Sequence, residues 1–146
     1  MTPPATCVNL RSCTSRIDRH PTGDANTNRD QTQYHYIVVR DDLPPGVAAA
    51  QIAHAAGFSA QLRWWRDGSY PILKPNAHVV VLRATQAQLC KLLDSMSHED
   101  LVAVVEVDAP YTGQLLAVGV RPAERCLLNR DVLRTLPLYG EKEAAT

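Results

Sequence analysis

Tyr34-His35-Tyr36-Ile37-Val38-Val39-Arg40, followed by Asp41-Asp42-Leu43-Pro44-Pro45-Gly46, carries the strongest local structural signal in the chain. Apart from Arg40, the first seven residues are aromatic or β-branched types that suit a pleated, buried surface, and the Asp, Pro and Gly behind them are turn formers. Together they read as a strand closed by a sharp turn. From Val47 to about Arg66 the chain is rich in Ala, Gln and Leu and free of proline, and Val47, Gln51, His54, Phe58 and Leu62 recur at helical spacing. A long helix therefore follows the first strand. Gly68, Pro71 and Pro75 then make the stretch from Asp67 to Asn76 a loop.

The remaining elements follow from the same rules. His78 to Arg83 is short and β-branched, which makes it a second strand. Thr85 with Gln88 three residues later matches a capping box, and Leu89, Leu92, Leu93 and Met96 supply the apolar stripe of a second helix ending near Ser97. Leu101 to Val107 is apolar except for Glu106, the pattern of a strand covered on both faces, and is expected at the centre of the sheet. The turn-like Asp108-Ala109-Pro110-Tyr111-Thr112-Gly113 separates it from a fourth strand, Leu115 to Val120, and Pro122 suits the first turn of a third helix. The expected fold is one three-layer α/β domain, a mixed four-stranded sheet with helices on both faces.

Composition limits what this domain does. The 146 residues include 15 Lys plus Arg and 15 Asp plus Glu, so no global field draws the protein to a polyanion. Residues 1–33 are polar and nearly devoid of aliphatics, so they cannot offset their ordering entropy and are expected to be a disordered tail. Removing that tail, with its four Arg and three Asp, leaves 11 basic and 12 acidic residues in 34–146, so the domain itself is not basic. No apolar run is long enough to span a membrane and no secretory core opens the chain. The location expected is cytoplasmic, with a mitochondrial alternative because residues 1–17 hold Arg11, Arg16 and no acid. The four cysteines, Cys7, Cys13, Cys90 and Cys126, lack paired short spacings, and Cys90 and Cys126 read as small buried side chains within helices.

In open α/β sheets, ligands collect at strand ends near switches in strand order. Two polar clusters meet that condition: Arg40, Asp41 and Asp42 with Gln51 and His54, and Asp108 with Tyr111 and Thr112. They converge if the first and third strands are neighbours. Gln51 and His54, three residues apart, share a helix face. The alternative is that His54 is a hydrogen-bonded core histidine and Gln51 a surface residue. Asp108 and Thr112 are either a carboxylate and hydroxyl that orient or deprotonate water for hydrolysis, or a turn whose carboxylate caps local amides. Trp64 and Trp65, flanked by Arg63 and Arg66, offer base stacking and phosphate contact, but adjacent tryptophans on a helix point apart. His35, His78 and His98 lack ligand spacing, so neither a metal nor any other cofactor is expected, and no Gly-rich phosphate loop or Gly-x-Ser-x-Gly elbow is present.

Tyr36-Ile37-Val38-Val39-Arg40-Asp41-Asp42-Leu43, then Gly46 and Ala49-Ala50-Gln51-Ile52-Ala53-His54-Ala55, resembles the opening strand and helix of the type II peptidyl-tRNA hydrolases of archaea and eukaryotes. His78 to Leu82 is similar to that family's second strand, Asp108-Ala109 with Thr112 to its Asp-Ala-Gly-x-Thr segment, and Leu136-Pro137-Leu138-Tyr139 to its C-terminal ending. The resemblance spans Tyr34 to Tyr139. It implies the family's α/β sandwich and hydrolysis of the ester joining a peptide to the 3′ end of tRNA. By the same resemblance Asp108, Thr112 and His54 are the catalytic candidates, Gln51, Arg40 and Asp42 the substrate-binding ones, and peptidyl-tRNA the partner, with a homodimer left open. The family's lysine at the start of the first helix is replaced by Val47, the preceding loop is shortened to Pro44-Pro45-Gly46, and a second family threonine falls on Leu116. In this the chain is similar to a divergent eukaryotic branch, and its alternative function is a non-catalytic RNA- or protein-binding module on the same scaffold.

Overall fold

The computed structural model describes residues 32–67, 77–124 and 128–141, without the side chains of 63–67. The expected tail other than Thr32 and Gln33, the loop at 68–76, Cys7, Cys13, Cys126 and the side chains of Trp64 and Trp65 lie outside these residues. The elements are β1 (Gln33–Arg40), α1 (Pro45–Asp67), β2 (His78–Ala84), α2 (Gln86–Ser95), β3 (Leu101–Val105), β4 (Leu115–Val120), β5 (Ala123–Glu124) and a 3₁₀ turn (Leu133–Thr135). They form a single α/β domain around a mixed five-stranded sheet.

The sheet runs β2-β1-β4-β3, with β1 parallel to β2 and antiparallel to β4, and β3 antiparallel to β4. Side chains alternate across the buried β1. Tyr36 and Val38 face α2, whose Leu89 and Leu92 join them in one core with Leu82, Val118 and Val120. Ile37 and Val39 face α1, packing with Ala48, Ala55 and Ala117. Helices on both faces are the arrangement expected, and each face carries one described α-helix.

Two expectations fail in the sheet. β3 is an edge strand, not a central one: among the described residues it pairs with β4 alone, and Ala103 and Val105 are exposed. An apolar run signals burial of strand faces but not the number of paired edges, and Leu101 and Val104 alone supply the buried contacts. Nor does Pro122 open a helix. Ala123 and Glu124 pair with Tyr34 and Gln33 as β5, continuing β4 along the same edge of β1. Without an N–H, Pro122 interrupts the ladder for a step, and pairing resumes beyond it.

The capping box forms as expected, with Gln88 N–H donating to Thr85 Oγ1 and Thr85 N–H to Gln88 Oε1. Cys90, however, is exposed on α2. The other sheet edge is covered by the C-terminal segment: Arg83 N–H donates to the Pro137 carbonyl at 3.0 Å and Tyr139 N–H to that of Val81 at 2.9 Å. That pairing closes off an edge that would otherwise invite another strand.

Helix α1 begins two residues earlier than expected, with Pro45 in its first turn and Ala48 N–H bonded to the Pro44 carbonyl. Its sheet-facing stripe is Ala48, Gln51, Ala55 and Ser59, while His54 and Phe58 are exposed. The small side chains let α1 lie close on β4 at Gly119. A Cβ there would stand 2.3 Å from the Ala55 carbonyl oxygen and 2.6 Å from Ser59 Oγ. Ser59 Oγ donates to the Ala55 carbonyl at 2.6 Å and is 2.7 Å from His35 Nε2 on β1, so the imidazole donates to it. The core histidine considered for His54 is thus His35.

Burial lowers the His35 pKa from 6.5 to about 4. The unfolded chain therefore binds the extra proton first as pH falls. Stability contributed by neutral His35 is complete above about pH 6.5, declines between pH 6.5 and 4, and is gone below, a swing of up to about 3 kcal/mol. Urea titrations across that range are expected to show the slope in the wild type and its reduction in His35→Gln.

Candidate active site

The site lies where the N-terminus of α1 meets the connection between β3 and β4. That connection, residues 106–114, folds as two successive turns, with Tyr111 N–H bonded to the Asp108 carbonyl and Gln114 N–H to that of Tyr111. Gly113 closes the second turn at φ 76°, a left-handed conformation that glycine adopts without strain. Glu106 N–H pairs with the Gln114 carbonyl and Gly113 N–H with that of Glu106, so the base of the turn extends the hairpin.

Arg40, at the end of β1, braces this turn. Its Nε donates to Asp42 Oδ1, and its Nη1 to Gln114 Oε1 at 2.8 Å and Gln86 Oε1 at 3.3 Å. The guanidinium lies 5.6 Å from the centroid of the Tyr111 ring, close enough for a cation–π contact. Arg40 is only 8% exposed, so its donors serve the protein interior, while the carboxylate of Asp42 remains exposed.

Gln51 is 2% exposed, not the surface residue of the alternative reading. Its Nε2 donates to Glu106 Oε2 at 2.7 Å, and its buried Oε1 has no hydrogen-bond partner among the described residues. Glu106 Oε1 accepts from the backbone amides of Val107 at 2.8 Å and Asp108 at 3.2 Å. The carboxylate that caps local amides is therefore Glu106, not Asp108. The Asp108 and Val107 amides hold the Glu106 carboxyl below its usual range despite the opposing effect of desolvation, with lesser help from Gln51 and the nearby His54 charge. Glu106 was visible in the sequence only as the single polar residue in an apolar run, and Gln114 and Gln86 gave no signal there.

Gly46, Val47, Ala50, Gln51, Glu106, Asp108 and Tyr111 border one shallow pocket of about 300 Å³. Gln51 and Asp108, from the two separate sequence clusters, thus meet although β1 and β3 are not neighbours. β4 lies between these strands, and the β3–β4 turn reaches past its end to α1. His54 is exposed, its ring 6.2 Å from that of Phe58, and Thr112 is exposed on the turn; neither borders the pocket. The pocket also takes in the first turn of α1, which carries no acidic residue to offset the positive end of the helix.

The fold and this site define an α/β domain with a two-carboxylate pocket at a helix N-terminus. Among the described residues, no helix is long and apolar enough to cross a membrane. No protein-family model matches the chain, and no curated protein matches it. Among solved structures it is similar to a protein of unknown function from Agrobacterium tumefaciens strain C58, with 14% identity, 74% of this chain and 98% of that one covered, and a TM-score of 0.46.

Proposed function

We propose that this domain is a peptidyl-tRNA (aminoacyl-tRNA) hydrolase that cleaves the ester joining an acyl group to the 3′ end of tRNA, in the cytoplasm or, if residues 1–17 act as a transit peptide, in mitochondria. The observation that carries the proposal is the meeting of Gln51 and Asp108, one from each motif that resembles the type II enzymes, in a single pocket. Asp108 is exposed there and takes the proton of the attacking water. Water adds to the acyl carbonyl, the bond to the ribose 3′-oxygen breaks, and that oxygen leaves with a proton. Glu106 is already committed to two amides and Gln51, so it positions Gln51 and the turn instead of serving as the base.

The negative oxygen that develops on the carbonyl needs donors. In an α-helix the first-turn amides have no intrahelical acceptor, and Gly46 and Val47 bring that turn of α1 to the pocket. Thr112 and His54, exposed beside the pocket, are assigned contacts to the bound tRNA end.

Val47 borders the pocket in the place of the family's lysine, and this favours the second function, a binding module without turnover. Val47→Lys separates the two. Supplying a cation to the developing oxyanion is expected to raise the rate of ester cleavage at least tenfold, since a single such donor is typically worth about 10²–10³ in rate. Release of acyl groups from tRNA no faster than in buffer, by both the wild type and Val47→Lys, together with tight and salt-sensitive tRNA binding, would establish the module instead.

A further inference from the structure

The carboxylates of Glu106 and Asp108 make the pocket wall a poor neighbour for phosphate, so a polyanion that reaches into it must have its charge met elsewhere. Arg40 is engaged by Asp42, Gln114 and Gln86, and Arg121 pairs with Asp100. Arg83, near the end of β2, is differently placed. It lies opposite Val39 in the β1–β2 register, which puts its side chain on the face that carries α1. Asp41 N–H bonds to the Ala84 carbonyl, so this end of β2 adjoins the turn that leads into α1. The Arg83 side chain is half-buried and makes no ion pair or hydrogen bond among the described residues. Its Nε is buried, so the terminal nitrogens of the guanidinium are what it offers a ligand. The C-terminal segment sets an aromatic ring beside it. Leu138 pairs with Leu82 and Tyr139 N–H bonds to the Val81 carbonyl, so Tyr139 stands opposite Val81 and shares a face with Arg83. Diagonal neighbours of such a ladder are roughly 7–8 Å apart, within reach of long and aromatic side chains. Tyr139 is 41% exposed, and the exposed Val79 continues the same face of β2.

An unpaired guanidinium beside an exposed ring matches a single strand of nucleic acid, which brings a phosphate for the first and the face of a base for the second. We propose that Arg83 and Tyr139 hold the single-stranded 3′ end of tRNA, Arg83 through a backbone phosphate and Tyr139 by stacking on a base. This deepens the function above and rests on its tRNA partner. In the sheet order β2 is three strand spacings from β3, roughly 14 Å. The phosphate taken therefore lies upstream of the esterified nucleotide, and the strand crosses the first turn of α1 to reach the pocket. A domain with no net basic charge then binds RNA through one local cation and a stacking platform, without a general field.

The test uses the full chain and deacylated tRNA, with its unpaired 3′ nucleotides intact or removed, in fluorescence-anisotropy titrations at several salt concentrations. The wild type is expected to bind the intact tRNA at least tenfold more tightly than the trimmed one. Arg83→Met keeps the apolar stem and loses the charge. It is expected to weaken binding of intact tRNA at least fivefold and to make the slope of log affinity against log salt shallower by about 0.7, the share of one phosphate contact on a single strand. Arg83→Lys is expected to keep the wild-type slope. Tyr139→Ala is expected to cost at least fivefold with the slope unchanged, and Tyr139→Phe to restore the affinity. Lys91→Gln, exposed on α2 across the sheet, controls for net charge and is expected to bind as the wild type does. Equal binding of intact and trimmed tRNA, an unaltered slope in Arg83→Met, full affinity in Tyr139→Ala, or the same loss in Lys91→Gln would each overturn the proposal, and the first of these requires no variant to fold. Cleavage of N-acetylalanyl-tRNA by the wild type is followed alongside. A rate no faster than in buffer removes the hydrolase function, while the titrations still decide whether Arg83 and Tyr139 hold the RNA.

Discussion

Gly119→Ala is expected to lower the unfolding free energy by at least about 3 kcal/mol, at the upper end of the usual cost of overpacking a core. The added Cβ would meet the Ala55 carbonyl at 2.3 Å and the Ser59 side chain at 2.6 and 2.7 Å. The first of these is backbone in the middle of α1, so no rotamer change relieves it and the helix must move off the sheet. Such a movement breaks the His35–Ser59 hydrogen bond and draws Gln51 away from Glu106, two contacts that depend on the same helix position. Small domains have only about 5–15 kcal/mol to lose, so much of the protein is expected to be unfolded at 37 °C. Gly57 makes the contrast. It lies in the same helix with nothing near its missing Cβ, and Gly57→Ala is expected to stabilise by roughly 0.5–1 kcal/mol. Urea unfolding of the two variants beside the wild type checks both signs. A Gly119→Ala protein as stable as the wild type would mean that α1 does not lie where the structure has it.

Asp108→Ala is expected to reduce the rate of tRNA ester cleavage by a factor of about 10² to 10⁴, the span that a positioned general base contributes. The fold should be unaffected, because the side chain is exposed and it is the Asp108 amide, retained in alanine, that bonds to Glu106. Equal melting temperatures with a large difference in single-turnover rate would assign the loss to chemistry. Glu106→Ala makes the opposite prediction: it removes the acceptor of two amides and of Gln51 together, so stability and rate should fall in concert.

Where local chemistry dictates local structure, the sequence is easy to read. β1, the turn behind it, the Thr85–Gln88 capping box and the length of α1 all follow from side chains acting on their own neighbours. What was not legible depends on partners distant in the chain. β3 looks central because its residues are apolar, but its place at the edge is set by which strand pairs with β4. The buried face of α1 is marked by Ala48, Ala55 and Ser59, small residues that carry little hydrophobic signal, while the more apolar Phe58 points outward. Pro122 is compatible with either a helix start or a break in a strand, and pairing with Tyr34 and Gln33 selects the second.

The candidate site was legible by halves. Gln51 and Asp108 stood out because they belong to motifs with fixed offsets, and they do meet. Glu106 did not, because a single acid at the end of an apolar strand looks like a solvated edge until the helix that brings Gln51 to it is in place. His54 illustrates the reverse: a residue conspicuous in the motif stands outside the pocket, exposed beside Phe58.

That Gln51 and Asp108 act on one bound ester is tested most directly by a double-mutant cycle on single-turnover cleavage of N-acetylalanyl-tRNA, with wild type, Asp108→Ala, Gln51→Leu and the double variant. The shared pocket predicts cleavage by the wild type well above buffer, and a double variant little slower than Asp108→Ala alone. A wild type that cleaves no faster than buffer, or two losses that simply multiply, would contradict it.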